Sequence, residues 1–471
     1  MSPTRVELVE AHYLRHAAAF ARLERALAAR FAIPAPVTAA TVKRRLVMEE
    51  AEVPGSLSAA PPGILSNLGH ALWVALCCLA SLVAPPARPR LRFDVVFDIW
   101  LDRTRLYAPI LARLNGLNLG FLLREPPSDR WPVQGSMPRP VRHRYTRAMA
   151  GRILWALLRD FPRLLLADGH LARLHVVLLR KIGLYTSDVA GLSAPVYVTA
   201  EHTAWSWLRH HLYTTNGIGA VVLIQNGMSR TLRADTYLSV DHYFTFGAIE
   251  AEIPGLRCPD LRPVGSLLLA EVKDQLRDIR PDYHMAFIES LVVKDFASWR
   301  NDSYETLLDH LARFMTEHPG LRLIICTKDS TRAVLTPEER VVTDVRDAKL
   351  DKVGADRSDR MGLTSYAALA RAPVALTYIS AMGLEALGLG LRPLFCNYDA
   401  FAALPPADDV AVLCDRSYEA FAQRLERILA GGPEVEAYYS RFRQRYFAQA
   451  EDAPGEIAAL IKTLVAGEPA P

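Results

Sequence analysis

One segment near the carboxyl end, residues 374–397, constrains the fold of this 471-residue chain more than any other. An apolar run at 374–379 predicts a buried strand, and a helix predicted to run to residue 389 follows it. Gly390 ends that helix and Pro393 prevents its continuation, so the next apolar run, 394–396, predicts a second strand. The segment therefore predicts a βαβ unit, from which parallel α/β sheets are built.

The predicted turn before this helix carries little side-chain bulk. Its residues are Ser380, Ala381, Met382 and Gly383, and Glu385 lies in the predicted first helical turn. Such a turn directs free backbone N–H groups and the positive end of the helix dipole toward an anion. The nearby carboxylate can accept hydrogen bonds from hydroxyl groups. Phosphate beside a polyol is the chemistry of a nucleotide sugar, although an ordinary crossover connection shows the same glycine and serine.

Length and composition limit the class of protein. A chain of 471 residues predicts two or three domains, and a content of 51% hydrophobic residues is ordinary for a folded protein. The net charge of +4 argues against a protein held to nucleic acid mainly by phosphate contacts. The six cysteines form no CxxC pair, so we expect reduced thiols without disulfides or zinc. Because the first ten residues are polar, we expect a cytoplasmic protein.

One uncharged segment, residues 64–84, is long enough to cross a bilayer. Polar residues in its first third shorten the apolar core to residues 71–84. Arg88, Arg90 and Arg92 follow, as expected beside an anionic headgroup layer. Three arrangements stay open, namely peripheral contact with the cytoplasmic face of the inner membrane, a helix packed within a soluble protein, and a true span.

The rest of the chain divides into regions of different pattern. Residues 1–90 predict a helical N-terminal extension, and residues 431–471 predict a helical tail. Residues 91–270 and 283–430 each alternate predicted strands with helices. We therefore predict an α/β protein of two Rossmann-like domains that face a cleft. Ligands of such sheets bind at the carboxyl ends of the strands.

Two candidate catalytic residues follow the predicted strand 194–199. Glu201 lies where the strand gives way to a helix, and a carboxylate there could remove a proton from an attacking hydroxyl group. His202 is the neighbouring alternative. The competing interpretations are a carboxylate that stabilises a helix N-terminus and a surface histidine.

Further polar residues and glycines follow other predicted strands of the first domain. Gln225, Asn226 and Gly227 come after the strand 219–224, where amide groups can donate hydrogen bonds and Arg230 adds positive charge. An Asn-Gly turn without further function is the alternative. Three more residues end strand-like runs and fit a hinge that lines the donor pocket: Gly247, Gly265 and Ser266.

In the second domain, Lys328 follows a predicted strand and could neutralise a leaving phosphate, although a loop lysine is often only solvated. The chain contains no GxxxxGK[ST] loop, no GxSxG elbow and no HExxH motif, and no DxD metal-binding pattern is clear. We therefore expect neither a metal ion nor a cofactor beyond a nucleotide-sugar co-substrate.

Together these segments resemble the GT-B class of glycosyltransferases, in particular enzymes of bacterial capsule and lipopolysaccharide biosynthesis. Residues 380–393 are similar to the S-x-x-x-x-E-A-x-x-x-G-x-x-P pattern of the donor site in that class. Gln225, Asn226 and Gly227 resemble its QHG segment. Asn226 replaces the histidine, so the role of that histidine is not transferred to this chain.

The resemblance implies a metal-independent transferase that moves a sugar from a nucleotide-activated donor onto a surface polysaccharide or a lipid-linked glycan. It implies donor phosphate at residues 380–383, sugar or ribose hydroxyls at Glu385, and the acceptor near Glu201. One alternative is transfer of a polyol phosphate from a CDP-linked donor, as in teichoic-acid synthesis. Another is a non-catalytic scaffold of a glycan-assembly complex.

Overall fold

The computed structural model describes most of the chain. The described ranges are 13–52, 63–83, 91–99, 104–123, 145–200, 206–225, 238–252, 256–288, 298–326, 363–378, 380–398, 408–448 and 450–467.

The strands form two main groups along the chain. The N-terminal half contains β1 (Leu91–Arg92), β2 (Val95–Ile99), β3 (Leu119–Leu123), β4 (Leu192–Thr199), β5 (Ile218–Ile224), β6 (Leu238–Ser239), β7 (His242–Thr245), β8 (Leu256–Arg257) and β9 (Asp260–Pro263). The C-terminal half contains β10 (Met285–Ile288), β11 (Leu323–Cys326), β12 (Val374–Thr377), β13 (Arg392–Cys396) and β14 (Val412–Leu413).

Helices precede, connect and follow these strands. Those of the N-terminal half are α1 (Ala17–Phe31), α2 (Ala35–Glu52), α3 (Ile64–Val83), α4 (Thr104–Leu111), α5 (Arg147–Arg159), α6 (Phe161–Ala167), α7 (Gly169–Ala190), α8 (Ser206–Thr215) and α9 (Leu267–Val272). Those of the C-terminal half are α10 (Ser298–Glu317), α11 (Leu363–Ala370), α12 (Ala381–Gly388), α13 (Tyr418–Ala430), α14 (Pro433–Tyr446) and α15 (Ala453–Ala466).

Both main sheets are parallel. The N-terminal sheet has the order β3-β2-β4-β5-β7-β9, with β1 beside β4, and the C-terminal sheet has the order β11-β10-β12-β13-β14. In each sheet the strand order reverses once, between β2 and β4 in the first and between β10 and β12 in the second. Such reversals are the switch points beside which open α/β sheets bind ligands.

Helices cover both faces of the N-terminal sheet. One face shares a core with the helices α1, α2, α3, α5, α6, α7 and α8, so the helices described before β1 pack into this domain. The other face carries α4 together with α15, because Ala453, Ile457 and Ile461 pack against Phe97 and Val198. The last helix that the structure describes thus returns to the first domain.

The fold class is confirmed: the chain forms two Rossmann-like domains in a GT-B-like order, with helices before the first and after the second. The sequence also predicts helix over residues 144–184 with a break or kink at Pro162. The structure has three helices there, α5, α6 and α7, with breaks at Asp160, just before Pro162, and at Asp168. Within the predicted helical extension, α2 begins at Ala35, although Pro34 and Pro36 suggest the end of a helix there. Pro36 lies in the first turn of α2, where proline is tolerated.

A substitution at Gly219 tests the pairing of β4 with β5. A Cβ atom at this position would lie 2.0 Å from the carbonyl oxygen of Pro195 on the neighbouring strand. We expect Gly219→Ala to lower the free energy of unfolding by about 1–3 kcal/mol, because two backbones would have to separate. Urea denaturation of the purified protein measures the change.

The matched control is Gly151→Ala on α5, where a Cβ atom would meet nothing within 4 Å. In a helix this change should be neutral or stabilise by about 0.5–1 kcal/mol. Equal stability of the two variants would contradict the close approach of β4 and β5.

Candidate functional site

The N-terminus of α12 lies at the carboxyl edge of the C-terminal sheet. α12 follows β12, one of the two strands at the switch point of that sheet. Ser380 caps the helix, and its Oγ accepts a hydrogen bond from the N–H of Met382 at 3.3 Å. The N–H of Ala381 precedes these groups and has no acceptor inside the helix. The position and polarity of this helix end suit an anion.

The predicted turn at residues 381–383 is wrong, because these residues are the first turn of α12. Gly383 is needed for packing: a Cβ atom there would lie 2.5 Å from the ring of Phe395 and 2.9 Å from Cγ2 of Thr377. The glycine therefore lets α12 approach β12 and β13 closely. At the other end of α12, Gly390 has a φ of +84°, a left-handed conformation that ends helices. It is the residue that the sequence predicts as the end of this helix.

Glu385 lies in the second turn of α12, so its predicted place in the first turn is wrong. The side chain is only 5% exposed. Oε1 accepts a hydrogen bond from the hydroxyl of Ser266, and the hydroxyl of Tyr366 also bonds to this carboxyl group. Burial raises the pKa of Glu385 above its ordinary value, and the two hydroxyl groups offset part of that increase. The carboxyl group thus contacts hydroxyl groups of the protein.

The bond between Ser266 and Glu385 joins the two halves of the chain. Ser266 is also the N-cap of α9, where its Oγ accepts from the N–H of Leu269 at 3.3 Å. Leu269 and Phe246, both from the N-terminal half, belong to the apolar core of the C-terminal domain. The carboxyl edges of the two sheets are therefore brought together around α9 and α12.

Gly247 and Gly265 lie at the same boundary. A Cβ atom on Gly247 would lie 2.3 Å from the carbonyl carbon of Tyr446. A Cβ atom on Gly265, whose φ is +82°, would lie 2.3 Å from the carbonyl oxygen of Ala448. The chain between α14 and α15 therefore crosses directly over the ends of β7 and β9. A side chain at either glycine would clash with this segment. The sequence alone does not show this contact.

Gln225 connects β5 to the segment after β7. Its Oε1 accepts from the N–H of Phe246 at 2.5 Å, and its Nε2 donates to Oε1 of Glu250 at 3.2 Å. Gln225 and Glu250 are 2% and 3% exposed. The sequence reasoning missed Glu250, although its place just after a buried strand was a usable signal. A second buried carboxyl group therefore lies at the carboxyl edge of the first domain.

The sequence reasoning also missed a buried ion pair at the switch point of the N-terminal sheet. Asp98, near the end of β2, accepts from the hydroxyl of Tyr197 at 2.6 Å and lies 3.0 Å from Arg209. Arg209 is 1% exposed. Its neighbour His210 is buried as well, and loss of hydration lowers the pKa of that imidazole to about 3. The usable signal was an aspartate inside an otherwise apolar strand.

The remaining sequence predictions lie outside the described residues: Glu201, His202, Asn226, Gly227, Arg230 and Lys328. Within the described ranges, no group of three or more His, Cys, Asp or Glu side chains is arranged to hold a metal ion.

No protein-family model matches the chain, and no curated protein matches it in sequence. Among solved structures, the wall teichoic acid polymerase TagF is 10% identical, with a TM-score of 0.42 over 86% of this chain and 97% of that chain. A putative UDP-N-acetylglucosamine 2-epimerase from Listeria monocytogenes is 11% identical, with a TM-score of 0.45 over 82% of this chain and 99% of that chain. At these identities and TM-scores, the similarity assigns no activity to this chain.

Glu385 gives the site a pH dependence that can be measured. Because the pKa of Glu385 is higher in the folded protein than in the unfolded chain, the unfolded chain loses this proton at a lower pH. The free energy of unfolding therefore falls as the pH rises above 4.5. We expect the unfolding free energy of the wild type, relative to Glu385→Gln, to fall by up to about 1.4 kcal/mol per pH unit until the raised pKa is passed. Denaturation at several pH values measures this difference.

The control is Glu305→Gln on α10, which changes an exposed glutamate. It should leave the pH dependence of the wild type unchanged. A wild-type advantage over Glu385→Gln that grows with pH would show that the folded protein stabilises the charged carboxylate.

Proposed function

We propose that the protein is a metal-independent transferase that moves a sugar from a nucleotide-activated donor onto a surface polysaccharide or a lipid-linked glycan. One observation carries this proposal. The N-terminus of α12 lies at the switch-point edge of one Rossmann-like domain, and the bond between Glu385 and Ser266 joins that helix to the other domain. A donor held by one domain can therefore meet an acceptor held by the other.

The donor phosphates would bind at the start of α12. The N–H of Ala381 and the helix dipole supply positive polarity there, and the capping bond to Ser380 keeps the first turn in place. Groups fixed in advance at the leaving phosphate are usually the largest catalytic contribution in such sites. On the sequence pattern alone, we assign Lys328 the role of neutralising the negative charge of the leaving phosphate.

Glu385 has a different role in this proposal from the one that the sequence suggests. Because its carboxyl group is buried between Ser266 and Tyr366, we assign it to holding α12 in register with the N-terminal domain. Ribose or sugar hydroxyls would then be bound by other groups at the same edge.

The acceptor would approach the carboxyl edge of the N-terminal sheet. Gln225 and Glu250 fix the ends of β5 and β7 there, and Asp98 and Arg209 fix the switch point. Glu201 is our candidate for the base that removes the acceptor proton, with His202 as its neighbour.

A proline substitution at the start of α12 tests the donor site. Ala381→Pro removes one backbone N–H at a helical position where proline is accepted, and the extended backbone of Ser380 suits a following proline. We expect the variant to bind the nucleotide about ten- to a hundredfold more weakly, because one charge-assisted hydrogen bond is lost. The measurement is a thermal shift with CMP, CDP, UDP, GDP and dTDP.

A nucleotide present at about 100 times its dissociation constant should stabilise the wild type by roughly 2.7 kcal/mol. The matched control is Arg147→Pro at the first position of α5, which should keep the full shift. If Ala381→Pro binds the nucleotide as well as the control does, the phosphate site is not at α12. If no nucleotide shifts the wild type, the proposal of a nucleotide-dependent enzyme fails.

Turnover provides a second test of the donor half. We expect Lys328→Ala to lower the transfer rate by about 10²–10³-fold, because positive charge at the leaving phosphate is lost. Lys462→Ala, an exposed lysine on α15, is the control and should keep the wild-type rate. The product mass identifies the group transferred, since phosphorus in the product would indicate polyol-phosphate transfer. Full activity of Lys328→Ala would overturn its assigned role.

A further inference from the structure

Three neighbouring helices of the N-terminal domain expose large apolar side chains. On α3 the exposed leucines include Leu65 at 85%, Leu72 at 62% and Leu76 at 55%. Leu158 on α5 and Leu166 on α6 are 74% and 90% exposed. Exposed apolar side chains in such number indicate an interaction surface. We call the exposed side of α3, α5 and α6 the apolar surface.

The opposite side of α3 is fixed to the protein. Nδ2 of Asn67 donates to the carbonyl oxygen of Gly169 at 3.0 Å, and the N–H of Tyr145 donates to Oγ of Ser81 at 3.0 Å. Between these bonds, Val74 and Cys78 are buried where α3 packs against α5 and α7. The helix is therefore held along its whole length, from one end to the other.

By length and composition alone, α3 could cross a bilayer. Among the helices that the structure describes, one meets this criterion, and it is α3. Its attachment argues against a crossing. α7 packs beside it and carries Arg173, Arg180 and Lys181, which would enter the hydrocarbon with α3 at high cost. A helix buried on one side and apolar on the other suits the plane of a membrane interface.

The charges around the apolar surface have one sign. The exposed charged residues of α3, α5 and α6 are Arg147, Arg152, Arg159 and Arg163. Two carboxylates flank these helices and both are engaged: Asp160, between α5 and α6, lies 2.7 Å from Arg30, and Asp168, after α6, accepts from the N–H of His170. Arginines around an apolar face complement anionic headgroups. A second copy of the chain would place like charges opposite each other in a symmetric interface, which is unfavourable.

Tryptophans provide a further sign of a membrane interface. Trp73 on α3 is 42% exposed and stacks under the guanidinium of Arg180 at 4.9 Å, and Trp155 on α5 is 56% exposed. Tryptophan is enriched at the headgroup level of membranes, where its ring is partly apolar and partly polar. Both rings lie on the helices that carry the exposed leucines.

We propose that the apolar surface binds an anionic lipid bilayer, with α3 lying in the plane of the interface and not across the membrane. The inference goes beyond the proposed transferase activity and uses none of its residues. It is therefore tested without a nucleotide or an acceptor, so that its failure is distinguishable from failure of the donor site.

Flotation of the full-length protein with large unilamellar vesicles tests this inference. The vesicles contain either phosphatidylcholine alone or phosphatidylcholine with phosphatidylglycerol. We expect binding to the anionic vesicles that weakens with salt. Leu72→Glu/Leu76→Glu should weaken it at least tenfold, and Arg152→Gln/Arg163→Gln by about fivefold for each arginine removed.

The matched control is Gln423→Glu/Gln444→Glu, which adds the same charge at exposed positions on α13 and α14. It should bind vesicles as the wild type does. Alkaline carbonate should extract the bound wild type, and resistance to extraction would overturn the in-plane arrangement in favour of a span. Wild-type protein that does not float with anionic vesicles, or a leucine variant that floats equally well, would overturn the proposal. A dimer that only the leucine substitutions dissociate would assign the surface to a second copy.

Discussion

A parallel sheet has to be covered by helices on both of its faces, because its strands are apolar on both sides. In the N-terminal sheet this requirement is met from two distant parts of the chain. The helices α1–α3, which precede the sheet, pack on one face with α5–α8, and α15 returns from the C-terminal half to cover the other face with α4. The return brings the segment between α14 and α15 across the domain boundary. The covering of one sheet thus determines how the two domains meet.

The boundary is built from close backbone contacts and buried polar groups. Gly247 and Gly265 leave room for the crossing chain, and Ser266, the residue after Gly265, donates a hydrogen bond to Glu385. Buried polar groups are costly unless they are paired. Gln225 with Glu250, and Asp98 with Arg209, meet that condition by joining elements far apart in sequence. These paired groups lie at the strand ends where ligands of such folds bind, so the polar residues that fix the architecture also frame the candidate site.

Much of the fold was predictable from local pattern. Apolar runs of four to eight residues between turn signals indicate buried strands, and most of the predicted strands agree with the structure within two residues. Pro162 indicated the break between α5 and α6, and Gly390 indicated the end of α12. Local pattern is ambiguous at proline, which both ends helices and begins them: Pro36 suggests a helix end, although it lies in the first turn of α2.

The sequence by itself determined the alternation of strands and helices, the apolar character of α3 and the small side chains at the start of α12. Each of these is a property of neighbouring residues, which periodicity and propensity can show. Only the tertiary structure decided that Glu385 is buried against Ser266 and Tyr366, that α15 covers the first domain, and that one side of α3 is occupied by protein. These facts depend on contacts between residues far apart in the chain. Tertiary packing decides which side chains meet and which are buried, and the pattern of neighbouring residues does not contain that information.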